Sequence, residues 1–387
     1  MNVFELDRAH VANTYARFPV AIAHGKGSMV YDENGKEYID LGSGIAVNTL
    51  GLADEEWIGA VTAQLIAFQH TSNLYYSAPC AQLASMLCER TGMKKVFFSN
   101  SGAEANECAV KVARRYAAEH KGADCYTILT LNNSFHGRTL TTLAATGQTV
   151  FHEHFQPLTP GFMSIEPTAE ALEQAVKQHK VAAVLFELIR GEGGVLPLER
   201  DFVRALTEIA ARQDILLMVD EVQTGNGRTG QLYCYQHYGF LPDVVTTAKG
   251  LGGGLPIGAT MLGEKVADVL TPGLHGSTFG GNPVCCAGAM HVLRRLDDEL
   301  LAEVREKSAA VFDALTGADG VEEVTGLGLM IGVKTRLPAK QVAQTCMERG
   351  VLVLTAKNKV RLLPALNIPP QLLDKAIHIL KSVCAEG

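Results

Sequence analysis

Along residues 94–265, short apolar runs alternate with longer stretches in which apolar and charged positions mix. The runs at 126–131 (Tyr-Thr-Ile-Leu-Thr-Leu), 181–186 (Val-Ala-Ala-Val-Leu-Phe) and 215–219 (Ile-Leu-Leu-Met-Val) contain no charge. Strands with this composition are buried on both faces, and strands alternating with helices build a largely parallel sheet covered on both sides. Another run ends in Phe97-Phe98 and breaks at Ser99-Asn-Ser101-Gly102 into a helical stretch. The last hundred residues change character. Charged amphipathic segments at 296–315 and 370–384 flank short apolar runs such as 329–333, which predicts a smaller α+β unit. Residues 30–39 read as a hairpin around Asn34-Gly35. The expected class is α/β, with one large and one smaller domain.

Composition narrows the function. The 387 residues, 47% of them hydrophobic, suffice for two such domains. A net charge of −7 without a basic run argues against a nucleic-acid or anionic-membrane partner. No apolar run approaches the roughly 20 residues of a membrane helix, and the first eight residues lack the basic-then-apolar pattern of a leader. A cytoplasmic protein is expected. Nine cysteines are scattered without a C-x-x-C pair, so neither disulfides nor a metal site is expected. Cys285-Cys286 suit the buried face of a helix. His152-Glu-His154 has no further ligands nearby and reads as a surface turn.

The chemistry concentrates at the ends of apolar runs. In Asp243-Val-Val-Thr-Thr-Ala-Lys249-Gly-Leu-Gly-Gly-Gly-Leu-Pro256, a β-branched run leads to one lysine and then to four glycines in five residues. A lysine at such a junction can be partly desolvated, which disfavours its ammonium form and suits Schiff-base chemistry. The glycines admit a bulky ligand. Upstream, Ile215-Leu-Leu-Met-Val ends in Asp220-Glu221. Open α/β sheets bind ligands at that edge, and a carboxylate there can keep a pyridine nitrogen protonated. Either feature alone also fits a strand end with no special role; together they favour a pyridoxal 5'-phosphate site.

These residues carry a family resemblance. Asp220-Glu-Val-Gln-Thr-Gly-Asn-Gly-Arg-Thr-Gly230, Pro242-Asp243 and Ala248-Lys249-Gly250 resemble the core of the class III (ω-amino acid) aminotransferases. The likeness runs from Tyr15-Ala-Arg-Phe-Pro19 to Arg361-Leu-Leu-Pro364. It implies fold-type I: a large domain with a mainly parallel seven-stranded sheet and a smaller α+β domain. The implied division is a segment 1–50 packing with the small domain, a cofactor domain 51–280 and a small domain 281–387. It also implies transfer of an amino group from an ω-amino donor to 2-oxoglutarate. N-acetylornithine is the donor expected first, with succinylornithine, ornithine, 4-aminobutyrate and lysine-derived amines as alternatives.

By the same resemblance, Lys249 holds the cofactor and moves the proton, and Asp220 faces the pyridine nitrogen. Ser101, Gly102 and Ala103 form the phosphate cup; by composition the segment is equally an ordinary N-cap. Phe135 stacks on the ring and Gln223 bonds its phenolic oxygen. His136, beside Phe135, reads more simply as a satisfied core histidine. Arg138 takes the substrate carboxylate, with Ser277 also assigned to substrate. Glu192 pairs with Arg361, masking that arginine for one substrate and freeing it for the other. Thr278 reaches the cofactor phosphate of a neighbouring subunit, which implies a homodimer with shared active sites.

Two motifs mislead and two depart. Gly225-Asn-Gly227-Arg-Thr-Gly230 matches G-x-G-x-x-G, but the aromatic, polar stretch after it is no βαβ helix, so a nicotinamide oxidoreductase is disfavoured. Gly250–Gly254 lacks the closing Gly-Lys-Ser/Thr of a P-loop. Where relatives carry Gly-His-x-His-Pro, this chain has Gly51-Leu-Ala-Asp-Glu55. Where they carry Glu-Pro-Ile-Gln, it has Glu187-Leu188-Ile189-Arg190, which bears on substrate preference. A catalytically silent binding protein on the same fold is the remaining alternative, and Lys249 with Asp220 argues against it.

Overall fold

The computed structural model describes residues 2–387. Its central sheet has seven strands: β1 (Lys95–Ser99), β2 (Thr127–Leu131), β3 (Phe162–Ile165), β4 (Val181–Phe186), β5 (Leu216–Asp220), β6 (Val244–Thr247) and β7 (Gly258–Leu262). They lie in the order β1-β7-β6-β5-β4-β2-β3, and only β7 runs against the rest. Every residue of β4 to β7 is buried, which explains runs without polar alternation. Successive residues of β5 serve opposite cores. Leu217 and Val219 pack with Leu206 and Ile209 of the helix Arg200–Gln213. Leu216 and Met218 pack with Ala109, Val112 and Ala113 of the helix Gly102–His120.

The later part of the chain builds a second sheet from Val321–Leu327, Met330–Thr335, Lys359–Leu362 and Leu354–Ala356. Helices Asp298–Leu315, Ala339–Glu348 and Pro370–Cys384 close its core. The hairpin forms between Met29–Asp32 and Glu37–Asp40. Asp32 Oδ1 accepts from the amides of Asn34 and Lys36, and Gly35 supplies φ +80°. The hairpin is tied to the later residues by backbone: Ile39 N donates to Gly350 O at 2.8 Å and Leu41 N to Leu352 O at 2.9 Å.

The glycine motif 225–230 is a buried turn between the two sheets. A Cβ on Gly227 would stand 2.7 Å from Leu296 Cδ2, so its glycine serves packing. Arg228 Nη1 donates to the carbonyls of Leu329 (3.1 Å) and Pro364 (2.5 Å), fastening the turn to the small sheet. In the departure at 51–55, Asp54 caps the helix Glu55–Ala67 by accepting from Trp57 N at 2.9 Å, and meets Arg295 Nη1 at 3.5 Å. Neither Asp54 nor Arg295 lines the cleft described next.

Candidate active site

The C-terminal ends of β1, β2, β4, β5 and β6 converge on one cleft of about 620 Å³, the place where an open parallel sheet binds ligands. At one end, β1 gives way to the helix Gly102–His120. Ser101 caps it, its Oγ accepting from Glu104 N at 3.2 Å. Gly102 and Ala103 line the cleft, and their amides take no partner among the described residues. Free amides at the positive end of a helix form an anion cradle. Gly102 has to be glycine, since a Cβ would lie 2.6 Å from Val222 Cγ1.

Asp220, at the end of β5, forms the floor and is 4% exposed. Its Oδ2 accepts from Asn106 Nδ2 and contacts His136 Nδ1, both at 2.8 Å, and its Oδ1 accepts from Val222 N at 3.0 Å. Thr246 Oγ1 donates to Asn106 Oδ1 at 2.7 Å, which turns the Asn106 amide group toward Asp220. His136 is therefore more than core packing: it orients the carboxylate. Asn106 was open to notice as a polar residue on the buried face shared with Ala105, Ala109 and Ala113.

Lys249 opens the tight turn Lys249–Leu251 at φ +43°. Asn226 Nδ2 holds the preceding carbonyl, of Ala248, at 3.1 Å, and Thr49 Oγ1 holds that of Gly250 at 2.8 Å. The lysine's pKa is lowered. Burial is the main cause, opposed by the carboxylates of Glu192 and Asp220, while Arg361 adds to the lowering. A depressed ammonium is what an amine nucleophile requires.

Phe135, Arg138, Glu192 and Gln223 line the same cleft. Arg138 is exposed and lies over the Phe151 ring at 4.4 Å, with no acidic partner among the described residues. Arg361 Nη1 donates to Glu192 Oε1 at 2.6 Å and to Gln223 Oε1 at 3.3 Å. Arg361 is buried behind Glu192 rather than lining the cleft. Ser277 and Thr278 line a separate cleft with Asn73, Leu74 and Cys80, reaching the phosphate end only through Asn100 Nδ2, 3.3 Å from Ser277 Oγ. Arg190 turns away: its Nη1 donates to Asn132 O at 3.1 Å, and it does not line the cleft.

Behind the floor, burial raises the pKa of Glu221 to about 7 from its ordinary 4.5. The folded protein thus holds a proton that the unfolded chain has released, so stability falls as pH rises from 4.5 through 7. Thermal melts of Glu221→Gln should decline less between pH 5 and pH 8 than those of the parent protein. A parallel decline would contradict the assignment. Burial likewise lifts Glu187 to about 7, opposed by His136 and reinforced by Asp220.

A lysine and an aspartate at adjacent strand ends, with an amide cradle and an aromatic ring between, define a fold-type I pyridoxal-phosphate enzyme. The class III aminotransferase family profile matches residues 10–384, and the chain belongs to that family. It is 48% identical to the acetylornithine aminotransferase of Haemophilus ducreyi over 99% of this chain and 98% of that one. Identity to the Aquifex aeolicus acetylornithine aminotransferase is 43%, over 97% and 99%. Among solved structures, N-acetylornithine aminotransferase of Stenotrophomonas maltophilia superposes with TM-score 0.86 at 34% identity, covering 99% of each chain. Ornithine aminotransferase of Toxoplasma gondii gives TM-score 0.95 at 34% identity, over 99% of this chain and 94% of that one.

Proposed function

We propose that this enzyme moves the side-arm amino group of N-acetylornithine to 2-oxoglutarate, giving N-acetylglutamate 5-semialdehyde and glutamate, as a step of arginine biosynthesis. The observation that carries the reading is the Glu192–Arg361 pair at 2.6 Å, facing a cleft that also holds the unpaired Arg138. A masked arginine suits a neutral or cationic side arm. The same arginine unmasked suits the second carboxylate of 2-oxoglutarate. The names of the relatives point to the same donor.

Pyridoxal 5'-phosphate, when bound, supplies an electron sink and carries the amino group between the two substrates. The cleft fits it: free amides at 102 and 103 for phosphate, Phe135 for the ring face, Asp220 for the ring nitrogen and Gln223 for the phenolic oxygen. Asp220, oriented by Asn106 and His136, keeps a proton on that nitrogen. Lys249 Nζ would hold the cofactor until the donor amine displaces it. It would then take the proton from the donor carbon and deliver it within the same half of the cycle, and afterwards carry out the reverse shift with the acceptor. Arg138 grips the donor's α-carboxylate, which lies far from the reacting side-arm carbon. By the same reach it grips the distal carboxylate of 2-oxoglutarate, which reacts at the carbon beside its α-carboxylate.

The working form we infer is a cytoplasmic homodimer with shared sites. Leu74, Tyr75, Tyr76 and Phe279 are 87%, 72%, 108% and 59% exposed, an apolar cluster beside Ser277 and Thr278 that a second copy would cover. All nine cysteines are free thiols, as suits a reducing compartment. No helix among the described residues is long and apolar enough to cross a membrane.

The donor is tested by initial rates with 2-oxoglutarate across N-acetylornithine, succinylornithine, ornithine, 4-aminobutyrate and lysine. N-acetylornithine should give the highest kcat/KM, by at least about tenfold, the effect of roughly 1.4 kcal/mol. Ornithine in first place would move the assignment to the chemistry named for the Toxoplasma enzyme.

A further inference from the structure

One buried group in the cleft has no part in the steps above. Glu187 follows β4, is 6% exposed, and has both carboxyl oxygens committed to backbone. Oε1 accepts from Phe135 N at 2.8 Å, and Oε2 accepts from Gly191 N at 3.2 Å. The first amide belongs to the loop that carries the stacking ring. The second opens the turn that carries Glu192. Two further contacts join the same loops. Arg190 Nη1 donates to Asn132 O at 3.1 Å, and a Cβ on Gly193 would stand 2.4 Å from Asn133 O.

We propose that Glu187 is a positioning residue that couples the Glu192–Arg361 gate to the cofactor site, by holding the ring-bearing loop and the gate-bearing turn as one piece. This rests on the gate reading above. When Glu192 leaves Arg361 to admit a dicarboxylate, its turn moves, and Glu187 transmits that movement to Phe135. The chemistry of the carboxyl group explains why glutamate is needed. Once ionised, the carboxylate accepts at both oxygens, whereas a glutamine accepts at one and presents an N–H group to the other amide. Glutamine must therefore release one of the two loops.

The test uses the loaded full-length protein and glutarate, an unreactive dicarboxylate standing for 2-oxoglutarate. Equilibrium dialysis gives the pyridoxal 5'-phosphate Kd with and without saturating glutarate. Coupled sites change each other's affinity by about fivefold or more, and the parent protein should show such a ratio. In Glu187→Gln the ratio should collapse to about one. Arg190→Gln, which leaves Glu187 in place, should reduce it partway, and decides the matter if Glu187→Gln does not fold. A parent without coupling, or variants that keep the parent's ratio, would overturn the proposal. Glu192→Gln separates the two readings: glutarate affinity should rise, and no change there would sink the gate while leaving the Glu187 ratio to be judged separately.

Discussion

Lys249→Ala leaves a folded protein that does not turn over. Its kcat with N-acetylornithine and 2-oxoglutarate falls by at least about 10⁴-fold, the upper range for losing a positioned base, because the same amine also anchors the cofactor. Stability should barely change. The Lys249 Nζ makes no hydrogen bond among the described residues, so truncation strands no partner and removes an amine whose charged form burial already disfavours. Alanine meets the same φ of +43° that lysine already tolerates. Steady-state rates and a thermal melt check both halves. A variant retaining even a tenth of the parent's kcat would remove Lys249 from the chemistry.

Asp220→Asn produces the second large effect, through charge alone. Size and shape are kept, but the negative charge that holds a proton on the ring nitrogen is gone. Removing one electrostatic stabiliser of a developing charge costs about 10²–10³ in kcat. The structural cost is separate. Asp220 accepts three hydrogen bonds, from Asn106 Nδ2, His136 Nδ1 and Val222 N. An asparagine that keeps its oxygen toward Asn106 and His136 turns its amide against Val222 N, leaving a buried donor unpaired at about 1–3 kcal/mol. Asp220→Asn should therefore lower kcat far more than it raises the donor KM. Equal changes in both would mean that the carboxylate serves binding rather than chemistry.

Much of the fold was legible because β4 to β6 are buried on both faces and read as uninterrupted apolar runs. The helix Pro370–Cys384 falls where its amphipathic pattern predicts. The strand Ile22–Lys26 gives no such signal, since nearly all its side chains are exposed. In the site, Lys249 and Asp220 announce themselves as charges closing apolar runs. The Glu192–Arg361 pair came only through family resemblance, as its members are 169 positions apart. Glu187 stood in plain view at the end of β4, yet its partners are backbone amides of Phe135 and Gly191, and no pattern of side chains points to a backbone amide. His136 carries no distinguishing sequence signal, because a buried histidine is common in cores and only the fold brings it to 2.8 Å from Asp220. Ser277 and Thr278 line a neighbouring cleft with Asn73 and Cys80 rather than the one that holds Lys249.

The most direct measurement is the visible absorbance of the purified, cofactor-loaded protein as N-acetylornithine and then 2-oxoglutarate are added. The band of the lysine-held cofactor should bleach with the first addition and return with the second, showing that the amino group passes through the enzyme. A band that no ω-amino donor alters, or a protein that gains no band when supplied with pyridoxal 5'-phosphate, would contradict the roles given to Lys249 and Asp220.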